Sequence, residues 1–437
     1  MVRISAPRLI DLARGRAEPP PGPFRPSAWR SPLRGPWLTS VLGSVLLVGF
    51  PVVFLTGLLS YAAYNPGLGG TNDRTPDKGL LGAYLFDWPT DPVWLYRVVI
   101  GTHVLLGLAL LPVLLAKLWS VIPKLFTWPP VTGPAQALER ASLILLVGGG
   151  IFELVTGILN TQVFYPWSFG FYAAHFYGAW VFIGAFLTHV ALKLPAMVGG
   201  IRSRSLRAEL STDLAGTTSE RPDEGGLVAV APAPPTISRR GLLGLVGGGS
   251  LLLVGLAGGQ TLGDRLRSTA LLAPRGGSFP GDFPVNRTAA SRGISGSDTG
   301  SSWRLRLLGP AGAEVVLTRE DLLAMRQHAE RLPISCVEGW STVQTWSGVR
   351  LRDLVALVGR SGAAGVQVSS LQESGASRQA VVSRDQSLDP RTLIALQVNG
   401  ADLTLDHGFP ARLIIPAAPG VLCTKWVREV SVLPGRA

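Results

Sequence analysis

Two cysteines, Cys336 and Cys423, and five histidines carry most of the metal-binding and nucleophilic chemistry this chain could perform. Cys336 stands in "RLPISCVEGWSTVQTW", residues 331–346, with an acid, a glycine and a tryptophan close behind it. Three readings are open for it. A packing thiol needs no particular neighbours. A nucleophile wants a histidine base, and His328 and His407 stand at no recognisable partner spacing. A soft thiolate ligand would suit a metal whose other donors come from a cofactor. Two cysteines make neither a disulfide framework nor a structural zinc site.

The other three histidines, His103, His175 and His189, fall inside long apolar runs. Ionisable groups at membrane depth are costly, which makes them functional candidates. His175 and His189 return to within about 40° of one helix face, about 21 Å apart along the axis. Two imidazoles on one helix and a third on a neighbour suit b-type haem held in an apolar slot between helices. They support one bis-histidine haem with a histidine left over, and depth favours the His103–His175 pair. Glu153, in the middle of a third apolar run, is a candidate for carrying protons or touching a quinone, or for a hydroxyl-paired acid. Arg97 could pair with a haem propionate or snorkel to the interface.

The elements that must position these residues are read from composition. With 47% hydrophobic and 16% charged residues, the 437-residue chain reads as a membrane protein of two or three domains. Four segments exceed the roughly 20 apolar residues needed to cross a bilayer: about Trp37–Tyr64, Pro92–Ile122, Ala141–Asn160 and Phe171–Val198. A fifth, Gly241–Gly259, is shorter and glycine-rich. The net charge of +12 is spread along a basic tail and beside apolar runs, so it reads as a topology signal and nucleic acid is not expected. The connection between the first two runs carries four aspartates against one arginine and one lysine, and "TQVFYPWSF" has no basic residue. Lys117, Lys124, Arg140, Arg202, Arg204 and Arg207 flank the other connections. The positive-inside rule then places the N-terminus in the cytoplasm and everything after about residue 260 outside it. "SRRGLL" at 238–243 resembles a twin-arginine export signal, or is an ordinary inside flank.

The expected organisation is a basic tail (1–36), a four-helix domain (37–198), a cytoplasmic linker (199–237), a fifth transmembrane helix (238–260), a second linker (261–277) and a C-terminal domain (278–437). A Gly/Ser-rich arm covers about 274–302. In the last domain "WRLRLLG", "EVVLT", "VQVSSL", "RQAVVS", "ARLIIP" and "KWVREVSVLP" read as strands, while "REDLLAMRQH" and "VRLRDLVALVG" read as helices. The fold class is therefore a multidomain membrane protein: an all-α bundle of five transmembrane helices plus an α+β extracytoplasmic domain.

Two resemblances sharpen this. "THVLLGLALLPVLLAKLW" and "AAHFYGAWVFIGAFLTHVALK" resemble cytochrome b membrane domains that exchange electrons with quinones. "CVEGWSTVQTWSGVRLRDL" with "HGFPARLIIPAAPGVLCTKWVREVSV" resembles the molybdopterin-binding domain of the sulfite oxidase family, over about 278–437. Within that family "CVEGW" looks closer to the bacterial methionine sulfoxide reductase catalytic subunit. The resemblance implies that Cys336 ligates molybdenum, completed by the pterin dithiolene and oxo groups. It also implies that His407 contacts the cofactor, in the place of an asparagine, and that Arg412, Cys423 and Lys425 hold the pterin phosphate. Asn286, with Arg287, would add an N-terminal contact. The additional dimerisation domain of sulfite oxidases is not expected. The function implied is a membrane-bound molybdenum oxidoreductase of the bacterial cell membrane, linking lipid-borne quinone, b haem and an S- or N-oxide substrate. A sulfite-oxidising dehydrogenase is the alternative, and a non-enzymatic membrane-anchored binding protein is the alternative of another class.

Overall fold

The computed structural model describes residues 18–64, 85–131, 133–222, 226–275, 283–359, 363–373 and 376–434. Parts of the basic tail (1–17), of the first connection (65–84) and of the Gly/Ser arm (276–282) lie outside the described residues. Among the described residues, five helices are long and apolar enough to cross a membrane: α1 (Pro36–Tyr64), α2 (Leu95–Val121), α3 (Pro134–Thr161), α4 (Phe171–Arg202) and, after the short α5 (Leu206–Ser211), α6 (Arg239–Leu262). The sequence places them to within a few residues except at the start of α3. There Pro134 opens the helix, and its first two turns carry Gln136, Glu139 and Arg140. Proline is pre-organised for the first helical position, whereas a hydropathy window registers only the apolar part.

The chain divides into two compact units, and the division passes through the long helices. One comprises Met1–Phe54, Leu106–Gly157 and Tyr177–Val254. Its core gathers Trp37, Leu42, Phe50, Leu114, Phe182 and Phe186, with Phe50 edge-on to Phe182 at 4.9 Å and to Phe186 at 5.7 Å. Its outward faces are apolar too: Val48, Leu138, Ile144, Leu245 and Leu251 are each at least 67% exposed. A bundle apolar outside and in is the pattern of helices whose solvent is hydrocarbon. Glu153 packs its carboxylate against Gly178, where a Cβ would overlap it. The 199–237 segment, read as a linker, is bonded into this unit instead. Glu209, on α5, binds Arg204 at 2.5 Å and Arg239 at 3.3 Å, and Glu220 accepts from the backbone N–H of Trp37 at 2.9 Å. Composition marks a Pro- and acid-rich stretch as a linker, but the Trp37 backbone and the buried Arg239 give those acids partners.

The second unit comprises Leu55–Leu105, Ile158–Phe176 and Gly255–Ala437. Its C-terminal part holds ten strands: β1 (Leu305–Leu308), β2 (Glu314–Leu317), β3 (His328–Ser335), β4 (Ser341–Arg350), β5 (Ala363–Ser370), β6 (Gln379–Ser383), β7 (Leu393–Val398), β8 (Ala401–Asp402), β9 (Arg412–Ile414) and β10 (Val427–Pro434). Short helices α7 (Arg319–Ala324), α8 (Leu351–Ala356) and α9 (Arg384–Leu388) join them. One sheet runs β2-β1-β10-β5-β6, with β1 and β10 parallel; the other runs β3-β4-β7-β8, with β9 added against β7. The α+β expectation holds, with two local corrections. The helix expected over 319–328 stops at Ala324, because the Gln327 amide bonds the Leu322 and Met325 carbonyls and His328 already opens β3. Strands β3, β4, β7 and the two-residue β8 go unread in the sequence: β7 is buried on both faces, so it shows no alternation, and β4 buries serine, threonine and glutamine. The expected arm is likewise no spacer, since Phe283, Ala289 and Ile294 are buried within this unit.

Candidate functional site

Cys336 follows directly on β3, where the sheet ends in a tight turn. The Cys336 N–H donates to the Trp340 carbonyl at 2.9 Å, and the Gly339 N–H to the Cys336 carbonyl at 3.0 Å. Gly339 needs its left-handed backbone, at φ +93°, and a Cβ there would also meet Val104 of α2 at 3.0 Å. The turn thus holds the thiol at one end and lies against the residue next to His103 at the other. A parallel bridge from Ser335 to Pro419, with the Gly420 N–H donating to the Ser335 carbonyl at 2.8 Å, brings the second sequence motif alongside.

The Asn286 amide donates to the Cys336 Sγ at 2.8 Å and accepts from the Trp340 indole N–H at 2.7 Å. Asn286 is therefore fixed against the sulfur from a segment some 50 residues away in sequence. Burial pushes the Cys336 thiol well above its ordinary range, and the nearby Glu338 adds to this. A thiolate here needs a bound cation to hold it. Glu338, itself raised by burial, pairs with Arg275 at 3.4 Å, a partner that no sequence signal announces.

Cys336 opens onto a cavity of about 1130 Å³, lined also by Arg287, Arg292, Arg412, Cys423 and Lys425. Arg412 is 6% exposed; it donates to the His407 carbonyl at 3.0 Å and sits over the Trp346 ring at 5.4 Å. Its Nε and the Thr424 hydroxyl are buried with no hydrogen-bond partner among the described residues. Burial lowers the Arg412 guanidinium to about 10. Burial first, and then Arg412, lowers Lys425 to about 7. The Lys425 ammonium donates to the carbonyls of Arg287 at 2.5 Å and Asp406 at 2.8 Å. Trp426 just after it holds a positive φ of 53°, a strained setting for a bulky side chain that turns the strand at this point. Cys423 is buried, its thiol raised by burial and held down by Arg412.

The Arg412 Nε thus stands unmatched in a cavity that Lys425 also lines. That pattern fits a bound phosphate, which takes a forked guanidinium, an ammonium and backbone groups. Among the described residues no cluster of three or more His, Cys, Asp or Glu could hold a metal by itself. The donor set around Cys336 therefore fits a metal that draws its other donors from a cofactor.

His407 lines the cavity, but protein groups use both its ring nitrogens: Nδ1 with the Thr404 hydroxyl at 2.8 Å and Nε2 with the Phe283 carbonyl at 3.1 Å. Because a carbonyl only accepts, Nε2 carries the proton. Its role is to pin the Phe283 segment, whose ring lies 3.8 Å from the imidazole. The resemblance implies a cofactor contact for His407, which lines the cavity; it carries no expectation for Phe283.

The histidines divide between the units. His103 on α2 and His175 on α4 bring their ring centroids to 6.2 Å. His103 Nδ1 lies 3.3 Å from the Thr56 hydroxyl, and Gly57 leaves room for its edge at 3.1 Å. His189 falls in the first unit. Arg97 donates to the Leu262 carbonyl at the end of α6.

Residues 293–436 match the model of the oxidoreductase molybdopterin binding domain. The uncharacterized oxidoreductase YuiH of Bacillus subtilis (strain 168) is 30% identical over 131 residues, 30% of this chain and 65% of that protein. The mitochondrial sulfite oxidase of Rattus norvegicus is 30% identical over 158 residues, 30% of this chain and 29% of its own length. The chain thus spans less than two thirds of either relative. The sulfane dehydrogenase SoxCD from Paracoccus pantotrophus is 23% identical, with 30% of this chain and 38% of that chain covered, at a TM-score of 0.29.

Proposed function

We propose that this chain, whose residues 293–436 match the oxidoreductase molybdopterin binding domain, is a membrane-bound enzyme of the sulfite oxidase family. It takes electrons from the quinone pool through one b haem to an extracytoplasmic molybdenum centre, and reduces an organic S- or N-oxide such as methionine sulfoxide. The balance is simple: oxide and quinol give the deoxygenated compound, quinone and water, with two electrons and two protons from the quinol. When bound, the cofactor supplies a two-electron oxygen-atom transfer centre. Cys336 would ligate its metal, Asn286 would hold the sulfur in place, and Arg412 and Lys425, with Cys423 beside them, would hold its phosphate. His103 and His175 would carry the haem iron, with Gly57 making room for the first imidazole.

One observation carries the reading. The turn that holds Cys336 rests through Gly339 on Val104, the neighbour of His103, within one compact unit. Groups held by Cys336 and by His103 would be separated by that turn and one side chain. The likeness of "CVEGW" to the reductase branch supports the direction. Five apolar helices with exposed apolar faces support the membrane setting, and the distribution of basic residues supports the orientation.

The test is purification followed by elemental molybdenum analysis and an absorption spectrum. Molybdenum and a Soret band should both be present; His103→Leu should lose the band and keep the metal. Cys336→Ser should keep the haem and lose turnover. Protein with neither group sinks the proposal. The relatives named sulfite oxidase favour a second reading, in which sulfite is oxidised and electrons run inward. Steady-state assays with sulfite and with methionine sulfoxide separate the two.

A further inference from the structure

The connection between α3 and α4, "QVFYPWSFG" at 162–170, goes unused by the functional reading above. It nevertheless lines the Cys336 cavity with Tyr165, Trp167 and Phe169. Two hydrogen bonds tie it to the catalytic turn. The Tyr165 hydroxyl donates to Asn160 Oδ1 at 3.0 Å, and the Asn160 amide donates to the carbonyl of Val337, next to Cys336, at 3.0 Å. Asn160 is 5% exposed, so this link is built in. Trp167 and Phe169 stack with ring centroids 4.9 Å apart and planes 2° from parallel. Tyr165 and Phe169 remain 41% and 44% exposed, an aromatic face left bare at a cavity mouth. The Trp167 indole N–H is buried without a hydrogen-bond partner among the described residues.

We infer that this connection is the substrate-recognising wall of the molybdenum site, and that it selects an organic S- or N-oxide. The apolar substituent lies on the aromatic face, and the oxide oxygen accepts from the Trp167 N–H. This rests on the proposed function and narrows it. Sulfite has no apolar part to bury on such a face. A sulfoxide or N-oxide has one strong acceptor beside apolar groups, which is what the wall offers. The helical region then takes part in choosing the substrate as well as in supplying electrons.

Two experiments on the full-length chain test this. In cofactor-loaded protein, Trp167→Phe keeps a ring and removes the N–H, while Trp167→Ala removes both. The KM for methionine sulfoxide should rise about tenfold in the first and further in the second, with kcat within about twofold, the scale of one lost hydrogen bond. Molybdenum content per chain should not change. An unchanged KM, or a rise accompanied by loss of metal, overturns the inference. In cofactor-free protein, labelling of Cys336 by a bulky maleimide, followed by mass spectrometry, should be at least about fivefold faster in Trp167→Ala, while Cys423 stays protected, as expected when a bulky wall residue is removed. An unchanged rate means that the connection does not wall the site. Wild-type protein that loads molybdenum yet reduces no sulfoxide defeats the functional reading instead, and the labelling result stands apart from it.

Discussion

At the residue scale, the site is a set of buried groups whose charge is held in check by what surrounds them. His407 shows the consequence. It is 1% exposed, and burial together with Arg412 lowers it to about 4. Its neutral form is the one that bonds Thr404 and Phe283. A histidine ionises near 6.5 when unfolded, so its contribution is present above that pH and is lost as the pH falls toward 4. The loss amounts to about 3 kcal/mol at roughly 1.4 kcal/mol per unit. Thermal melts from pH 7 to 4 should show this drop, and His407→Asn should flatten it; an unchanged slope would mean that the imidazole is not held neutral. Cys336 was legible as a ligand candidate through its motif alone. Asn286 was legible only as an outlying contact, and its bond to the sulfur emerged when the chain between them folded. Arg275 and Phe283 had no local signal, because a salt bridge and a ring packed on an imidazole are made by chain reversal.

At the element scale, the turn after β3 and the buried arginine at the head of α6 carry most of the strain and charge. Gly339→Ala would place a side chain at φ +93° and 3.0 Å from Val104. The expected cost is about 1–3 kcal/mol, read as a lower Tm in detergent. Wild-type stability in that variant would mean that the turn is not held against α2. Arg239 is 1% exposed, pairs with Glu209 and donates to the carbonyls of Pro32 and Thr218. Arg239→Met leaves Glu209 with Arg204 alone and should cost about 3 kcal/mol, the scale of breaking a buried pair. Arg240→Met, at an exposed position, should cost little by the same melt. Equal effects of the two would return "SRR" to an ordinary flank. The sequence reading found the paired arginines and could not find that one of them is buried, since its partners come from a stretch whose composition reads as a spacer.

At the scale of the whole molecule, the distribution of basic residues predicts an orientation that protease accessibility can check. In right-side-out spheroplasts, added protease should cleave within the C-terminal domain or its arm and spare the 199–237 segment; the reverse pattern would overturn the topology. The sequence by itself determined where the five helices lie, that the last domain is α+β, and which cysteine belongs to the cofactor motif. Those features are local, because hydropathy over 20 residues and a short motif depend on no distant neighbour. Only the tertiary structure decided which groups share the site. It brought Asn286 to the sulfur, rested Gly339 on Val104, set His103 beside His175 and carried Trp167 to the cavity that Cys336 opens. Each of these is a contact between segments far apart in the chain, formed by burial and by hydrogen bonds that close loops, and neither residue type nor spacing records which loops will close.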